Sequence, residues 1–151
     1  MSPDKRPVSV LVVVHTRTGH TLLLRRQPPT RFWQSITGSL EPGETPHEAA
    51  VRELAEETGL IAASADLHDW QLQNRFPIPP KWAARYAPGV RFNTEHAFSL
   101  QLPAPCDVRL APGEHDAAEW LPLHKAIDRA WSWTNRDLMR LILAQPADPI
   151  R

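Results

Sequence analysis

Three glutamates on one predicted helix carry the clearest chemistry in this sequence. Glu53, Glu56 and Glu57 are spaced i, i+3 and i+4, so a helix over this stretch brings their carboxylates together on one side. Neighbouring carboxylates repel one another unless a cation lies between them. Hard divalent cations such as Mg²⁺ and Mn²⁺ favour oxygen ligands and keep several waters, which leaves positions for a phosphate oxygen and an attacking water. The spacing therefore predicts a dication site that supports phosphoryl chemistry.

The helix that must hold these glutamates is marked at both ends. Thr45 is a suitable N-cap, Pro46 suits the first helical position, and Glu48 completes a capping box. Gly59 supplies the stop. At about 100° per residue, the apolar positions share one arc and the three glutamates share another. The apolar positions are Ala50, Val51, Leu54 and Ala55. We therefore expect one packed face and one charged face.

The rest of the chain alternates predicted strands and helices. Residues 8–14 are rich in β-branched side chains, and residues 21–26 follow a turn at Gly19, which predicts an antiparallel hairpin. Further predicted strands cover residues 64–72, 93–102 and 119–121. Further predicted helices cover residues 124–130 and 134–144, the second with Thr134 and Asp137 in capping-box positions. This alternation predicts a single α/β domain.

Two connections have the composition of functional loops. Residues 38–45 form a Gly/Pro/Glu loop directly before the glutamate helix. Residues 73–92 form a proline-rich connection in which aromatic and basic side chains are interleaved, and long ordered loops of this kind are more often functional than not. We expect both loops to contribute to a binding site.

Composition limits the classes of partner. The 151 residues, 42% of them hydrophobic, are enough for one domain with a core. The 17 basic and 17 acidic residues balance, so the chain lacks the charge excess of general nucleic-acid binders. The single cysteine, Cys106, fits a reducing compartment, and the apolar run at residues 8–14 is too short for a signal peptide or a membrane span. We expect a soluble, cytoplasmic protein with no nucleic-acid or membrane partner, and a frayed tail at residues 145–151.

The glutamates belong to a longer pattern. Gly38, five residues, Glu44, seven residues and then residues 52–60, "RELAEETGL", match the Nudix box G-x5-E-x7-R-E-U-x-E-E-x-G-U, with U aliphatic, at every fixed position. The alternative, a solvated helix face, does not explain this spacing, since a chance match anywhere in the chain is on the order of 10⁻⁸. The chain thus resembles Nudix hydrolases. The resemblance implies an α/β/α sandwich with a mixed sheet, as a single domain over residues 1–151, and hydrolysis of a nucleoside diphosphate linked to another group.

The resemblance also implies roles for individual residues. Glu53 and Glu57 would be principal metal ligands, Glu56 a further ligand or the general base, and the Gly38 carbonyl another contact to Mg²⁺ or Mn²⁺. Arg52 would act with Glu44 to hold the loop and helix in register. The structural alternative for Arg52 is an i, i+4 surface pair with Glu56, which contributes only a few tenths of a kcal/mol.

Three flanking stretches narrow the resemblance. "FWQSITGS", "RYAPGVRFNTE" and "WSWTNRD" resemble the bacterial subfamily that removes pyrophosphate from 7,8-dihydroneopterin triphosphate in folate biosynthesis. The subfamily implies substrate contacts from Lys5, Arg25, Thr37, Phe76, Pro77, Ile78, Pro79 and Ser132. Lys5 and Arg25 are chemically suited to a triphosphate, although either fits a solvated surface charge equally well.

The same resemblance nominates one carboxylate from outside the box. Glu114 would be a metal ligand or base, with Glu95 as the competing choice. Which of Glu56 and Glu114 takes the proton from water stays open. A pterin ring is flat and aromatic, and Phe76 and Trp33 are the stacking partners that we single out.

Three functions compete at this point. The first is Mg²⁺-dependent hydrolysis of dihydroneopterin triphosphate, by direct attack of water, without an obligatory protein partner. The second keeps the mechanism but takes a canonical or oxidised deoxynucleoside triphosphate. The third is a ligand-sensing module that does not cleave, and the intact trio of carboxylates argues against it.

Overall fold

A mixed sheet of seven strands forms the centre of the protein. The computed structural model describes residues 4–146. The strands are β1 (Val8–Thr16), β2 (His20–Arg26), β3 (Trp33–Gln34), β4 (Ile36–Ser39), β5 (Leu67–Pro77), β6 (Phe92–Leu102) and β7 (His115–Pro122). The helices are α1 (Pro46–Thr58), α2 (Leu123–Arg129) and α3 (Trp133–Ala144), with 3₁₀ turns at Ser64–Asp66 and Pro80–Arg85.

Strand β1 lies at the middle of this sheet. The strand order is β3-β2-β1-β6-β5, with β4 also paired to β1 and β7 also paired to β2. Strands β1 and β6 run parallel, whereas the other pairs are antiparallel. Strand β1 therefore has β4 along one edge, at Ser9 to Val12, and β6 along the other over its whole length.

Helices cover both faces of the sheet. Val10 and Val12 of β1 pack in the cluster that contains Leu54 of α1, whereas Leu11 packs in the cluster that contains Leu138 of α3. A strand that is buried on both faces needs apolar residues at every position, which explains the unbroken apolar run in β1. The expected α/β/α sandwich with a mixed sheet is confirmed.

The predicted ends of α1 are confirmed. The Thr45 hydroxyl accepts a hydrogen bond from the Glu48 backbone N–H at 3.2 Å, and Glu48 Oε1 accepts one from the Thr45 backbone N–H at 2.9 Å. Gly59 ends the helix in the left-handed region, at φ 75°. Capping depends on neighbours in sequence, so it was readable without the fold.

The capping box expected at Thr134 and Asp137 is wrong. Helix α3 begins one residue earlier, and its N-cap is Ser132, whose hydroxyl accepts a hydrogen bond from the Asn135 backbone N–H at 3.2 Å. Thr134 is instead buried inside the first turn. Helix α3 ends at Ala144, and most of the expected tail, residues 147–151, lies outside the described residues. No helix within residues 4–146 is long and apolar enough to cross a membrane.

The long proline-rich connection is shorter than expected. Strand β5 continues to Pro77, which pairs with Phe92 at the start of β6. Because β5 is the last strand in the order, proline can end it without removing a hydrogen bond from the interior of the sheet. The true loop covers residues 78–91 and contains the second 3₁₀ turn.

Candidate active site

Strand β4 and helix α1 approach closely at Gly38. Gly38 pairs with Val10 of β1, and any Cβ atom at this position would collide with the Glu53 carboxyl group. Only glycine leaves room for that carboxyl group. The first fixed position of the box therefore serves to seat Glu53 against the strand.

Arg52 joins the loop, the strand and the helix. Its Nε and Nη2 atoms donate to the two Glu44 carboxylate oxygens, both at 2.8 Å, and Nη2 also donates to the Ser39 carbonyl at 3.0 Å. Its Nη1 atom donates to Glu53 Oε1 at 2.7 Å and to Glu56 Oε2 at 3.2 Å. A bidentate pair of this kind fixes geometry as well as charge. The surface pair with Glu56 exists, but it is one of five hydrogen bonds that the Arg52 side chain donates within the described residues.

The three box glutamates differ in burial, contrary to the expectation of one exposed charged face. The Glu56 side chain is 54% exposed, whereas Glu57 is only 3% exposed. Glu57 follows Leu54 by three residues, which places it about 60° from that core residue around the helix. The expectation that Glu57 lies opposite the packed arc is wrong for this reason.

Glu57 faces two residues at the start of β7. Potential ligand atoms of Glu57, Glu114 and His115 all lie within 4.8 Å of one another. Glu57 Oε2 is buried, and no hydrogen-bond partner for it occurs in the part of the chain that the structure describes. An orphaned carboxylate oxygen beside a second carboxylate fits a divalent cation, which supplies the missing partner.

His115 was not singled out by the sequence analysis. Its Nε2 atom lies 3.3 Å from the Gln34 side-chain nitrogen. Nδ1 faces Glu57 Oε1 at 3.9 Å. Burial, followed by the charge of Arg26, lowers the pKa of His115 to about 4, so the ring is neutral at pH 7. The sequence signal that could have pointed to His115 was its position directly after Glu114.

The carboxylates are hard to ionise together without a cation. Burial, followed by the charges of Glu53 and Glu114, raises the pKa of Glu57 to about 9. Burial also raises the pKa of Glu53 to about 7, against the opposing effect of Arg52 and with smaller contributions from Glu56 and Glu114. A bound dication reverses this balance, because it favours the ionised form of each ligand. We refer to Glu53, Glu56, Glu57 and Glu114 as the acidic edge.

A cavity of about 460 Å³ opens beside the acidic edge. The two meet at Thr37 and Gly38, which line the cavity. Its walls include Phe32 and Trp131, whose rings stack at 4.2 Å, and Trp82, whose ring meets Trp131 edge-on at 6.2 Å. Aromatic walls around a volume of this size suit a flat ring system.

Comparison with known proteins agrees with the box and the fold. A model of the NUDIX domain matches residues 5–142. The chain belongs to the Nudix family. This Nudix protein is 40% identical over 146 residues to the dihydroneopterin triphosphate diphosphatase of Escherichia coli strain K12, covering 95% of this chain and 96% of that enzyme. It is 35% identical over 148 residues to the Haemophilus influenzae enzyme of the same name, covering 95% and 91% of the two chains.

Solved structures agree as well. The E. coli dihydroneopterin triphosphate pyrophosphohydrolase matches this Nudix protein with a TM-score of 0.84 at 40% identity, covering 93% of this chain and 97% of that chain. A C. elegans Ap4A hydrolase matches with a TM-score of 0.69 at 25% identity, covering 91% and 95%.

Most of the substrate contacts expected from the sequence line the cavity. They are Lys5, Thr37, Phe76, Pro77, Ile78, Pro79 and Ser132. Phe76, one of the two expected stacking partners, is therefore part of the cavity wall. The structure shows where these residues lie, and the role of each in substrate binding stays a prediction.

Arg25 and Trp33 do not lie in the cavity. Arg25 Nε pairs with Asp116 Oδ1 at 2.8 Å, and the guanidinium carbon lies 5.7 Å from the centre of the Trp33 ring. The neighbouring Arg26 lines the cavity instead. The register between β2 and β7 shifts between these two arginines, so regular strand alternation does not decide which of them faces the cavity. Arg25 is the one charged residue of the expected substrate contacts that does not line the cavity, and a contact through Arg26 is a prediction.

Glu95 lies apart from the acidic edge, although the sequence left it as a competing metal ligand. It lines the cavity on β6, two residues after Asn93, and both residues are 5% exposed. Burial raises the pKa of Glu95 to about 7, opposed by a hydrogen bond from Thr134, with no contribution from the acidic edge. Polar residues at i and i+2 of a buried strand were the sequence signal for this second polar group.

Proposed function

We propose that this Nudix protein hydrolyses 7,8-dihydroneopterin triphosphate to dihydroneopterin monophosphate and pyrophosphate in a Mg²⁺-dependent reaction. The observation that carries the proposal is the junction at Thr37 and Gly38, where the acidic edge meets the aromatic cavity. A flat ring in the cavity has its phosphate tail beside the carboxylates. The full-length similarity to the E. coli and H. influenzae enzymes supports the choice of substrate.

The metal site of the proposal is the acidic edge together with the Gly38 carbonyl. Glu53 and Glu57 serve as principal ligands for Mg²⁺, or for Mn²⁺, and Glu56 and Glu114 complete the set. A bound dication offsets the negative charge of the triphosphate and lowers the pKa of a bound water. Arg52 keeps Glu53 in place through the 2.7 Å hydrogen bond and anchors it to the loop through Glu44.

Local cations bind the triphosphate in this proposal. Lys5, Arg26 and Arg85 all line the cavity. Desolvation, followed by the charges of Arg85 and Arg26, lowers the pKa of Lys5, whereas Glu53 raises it. Lys5 is thus within electrostatic reach of both the cationic and the acidic groups. Recognition by a local cluster agrees with a chain whose overall charge is zero.

The reaction proceeds by direct attack of water, without a covalent enzyme intermediate. A new bond forms between the water oxygen and a phosphorus atom, and the bridging bond between the α-phosphate and the leaving pyrophosphate breaks. The proton of the water passes to a carboxylate. Glu56 and Glu114 are the two exposed members of the acidic edge, so solvent reaches these two. Arg52 holds Glu56 in place at 3.2 Å.

The cellular setting follows from the substrate. We place the reaction in folate biosynthesis, in the cytoplasm, with a small-molecule substrate and without an obligatory protein partner. The names of the relatives support only the substrate from which this placement follows.

A comparison of substrates tests the proposal. Purified protein with Mg²⁺ should release pyrophosphate from dihydroneopterin triphosphate faster than from dATP or dGTP. Glu53→Gln should abolish the release from all three, whereas Glu119→Gln, an exposed glutamate paired with Arg129, should leave it unchanged. Equal or reversed rates would remove the pterin assignment and favour a nucleotide pyrophosphohydrolase.

A further inference from the structure

Two hydrogen-bond acceptors lie unused at one side of the cavity. Glu95 Oε1 is buried, and the described residues offer it no hydrogen-bond partner. Asn93 lies two positions earlier on the same face of β6, and its Nδ2 atom donates to Ser9 Oγ at 2.7 Å. The Asn93 Oδ1 atom is also buried and, within residues 4–146, without a partner. Both side chains line the cavity.

Unpaired acceptors of this kind favour a ligand that brings N–H donors. A buried polar atom without a hydrogen bond costs free energy, and a buried carboxylate costs more than a neutral group. The raised pKa of Glu95 reflects this cost. Donors that pair with the carboxylate offset the cost, whereas a phosphate placed there adds a second negative charge.

The location of Glu95 assigns it to the ring rather than to the phosphates. Glu95 pairs in register with Ser9 of β1 and with Asn74 of β5, whereas the acidic edge is built from α1 and the start of β7. The Phe32 and Trp131 rings line the same cavity as Glu95. These two rings already stack on each other at 4.2 Å, so a planar heterocycle packs beside the pair, and its edge is then free to meet the polar side chains of the strand.

We propose that Glu95, assisted by Asn93, recognises the 2-amino-4-oxopyrimidine edge of the substrate ring. That edge presents two adjacent donors, the ring N3–H and the 2-amino group, which match a carboxylate whose Oε1 atom has no partner among the described residues. This inference rests on the proposed function and names the part of the substrate that this site selects. Guanine presents the same pair of donors, whereas adenine presents a ring nitrogen lone pair that a carboxylate repels.

Binding of the ring without its phosphates tests the assignment directly. Calorimetry in the absence of divalent cations compares neopterin with its 2-oxo analogue, which lacks the 2-amino donor. We expect the wild-type protein to bind neopterin about ten-fold or more tightly than the analogue, as for a hydrogen bond to a charged group. Glu95→Gln should lose this preference. The control Glu119→Gln makes the same type of substitution at an exposed glutamate that does not line the cavity, and it should retain the preference.

Each outcome decides the assignment. Equal affinity of the wild-type protein for the two rings, including no measurable binding of either, would overturn it, whether or not the variant folds. Retention of the preference by a folded Glu95→Gln protein would overturn it as well. A preference for neopterin without pyrophosphate release from dihydroneopterin triphosphate would refute the proposed function alone. Pyrophosphate release without the preference would refute the role of Glu95 alone.

Discussion

The Glu95 carboxyl group makes the stability of this protein depend on pH in a calculable way. Its pKa is about 7 in the folded protein, against an ordinary value of 4.5 in the unfolded chain. The folded state therefore binds more protons than the unfolded state above pH 4.5, and stability falls as pH rises through that range. The full cost is reached above pH 7 and is about 3.4 kcal/mol, at about 1.36 kcal/mol for each pKa unit. The same linkage gives a cost of about 0.8 kcal/mol at pH 5 and about 3 kcal/mol at pH 7.

Glu95→Gln removes this titration and leaves the other buried carboxylates in place. The free energy of unfolding of the variant, relative to wild type, should rise by about 2 kcal/mol between pH 5 and pH 7. From pH 7 to pH 9 it should rise by less than about 0.5 kcal/mol. Urea denaturation at pH 5, 6, 7 and 9, at constant ionic strength and without ligand, measures the difference. Glu119→Gln is the control for loss of a surface glutamate.

A difference that stays constant from pH 5 to pH 9 would refute the reasoning. It would mean that the Glu95 carboxyl group is solvated in the folded protein, which contradicts its 5% exposure. Glu57 also titrates in this range, but it is present in both proteins, so its contribution cancels in the difference.

Three further predictions concern the acidic edge and the cavity. Gly38→Ala should lower Mg²⁺-dependent turnover by about 100-fold, because the added methyl group displaces the Glu53 carboxyl group. The circular dichroism spectrum should be unchanged. Normal turnover would contradict the close approach of Gly38 and Glu53. Arg26→Ala should raise the KM for dihydroneopterin triphosphate by about ten-fold, whereas Arg25→Ala should change it by less than about two-fold. The opposite ranking would restore the assignment of Arg25. Glu57→Gln should weaken Mg²⁺ binding in calorimetry. The affinity of the wild-type protein for Mg²⁺ should increase from pH 7 to pH 9, because the Glu57 pKa of about 9 means that metal binding releases a proton. Affinity that is independent of pH would show that Glu57 is already ionised.

Local signals were sufficient for the scaffold of the site. Thr45, Glu48 and Gly59 define the two ends of α1 through contacts within a few residues, so neither the sheet nor the core was needed to place them. The β-branched run of residues 8–14 predicted a strand, and the alternation of strands and helices predicted an α/β domain. The resemblance to the Nudix box implied that Arg52 acts with Glu44, and two hydrogen bonds of 2.8 Å join these residues.

The features that the sequence did not reveal depend on contacts between distant elements. The burial of Glu57 follows from how α1 lies on the sheet, and the proximity of His115 follows from the position of β7. The choice between Arg25 and Arg26 depends on the phase of β2, where the register with β7 shifts between these two residues. The periodicity of a helix or strand shows which residues share a face, but only the packing of the elements determines which face lines the cavity.

Strand β1 sets the span of ligand that the site accepts. Gly38 of β4 pairs with Val10 on one edge of β1, and Glu95 of β6 pairs with the adjacent Ser9 on the other edge. Gly38, beside the proposed metal site, and Glu95, the proposed ring-binding residue, are therefore separated by two strand spacings, about 10 Å. Backbone hydrogen bonds, and not side chains, maintain this distance. Substitutions inside the cavity can change how tightly a ring is held, but a tail of different length between ring and phosphate would require the sheet itself to be rebuilt.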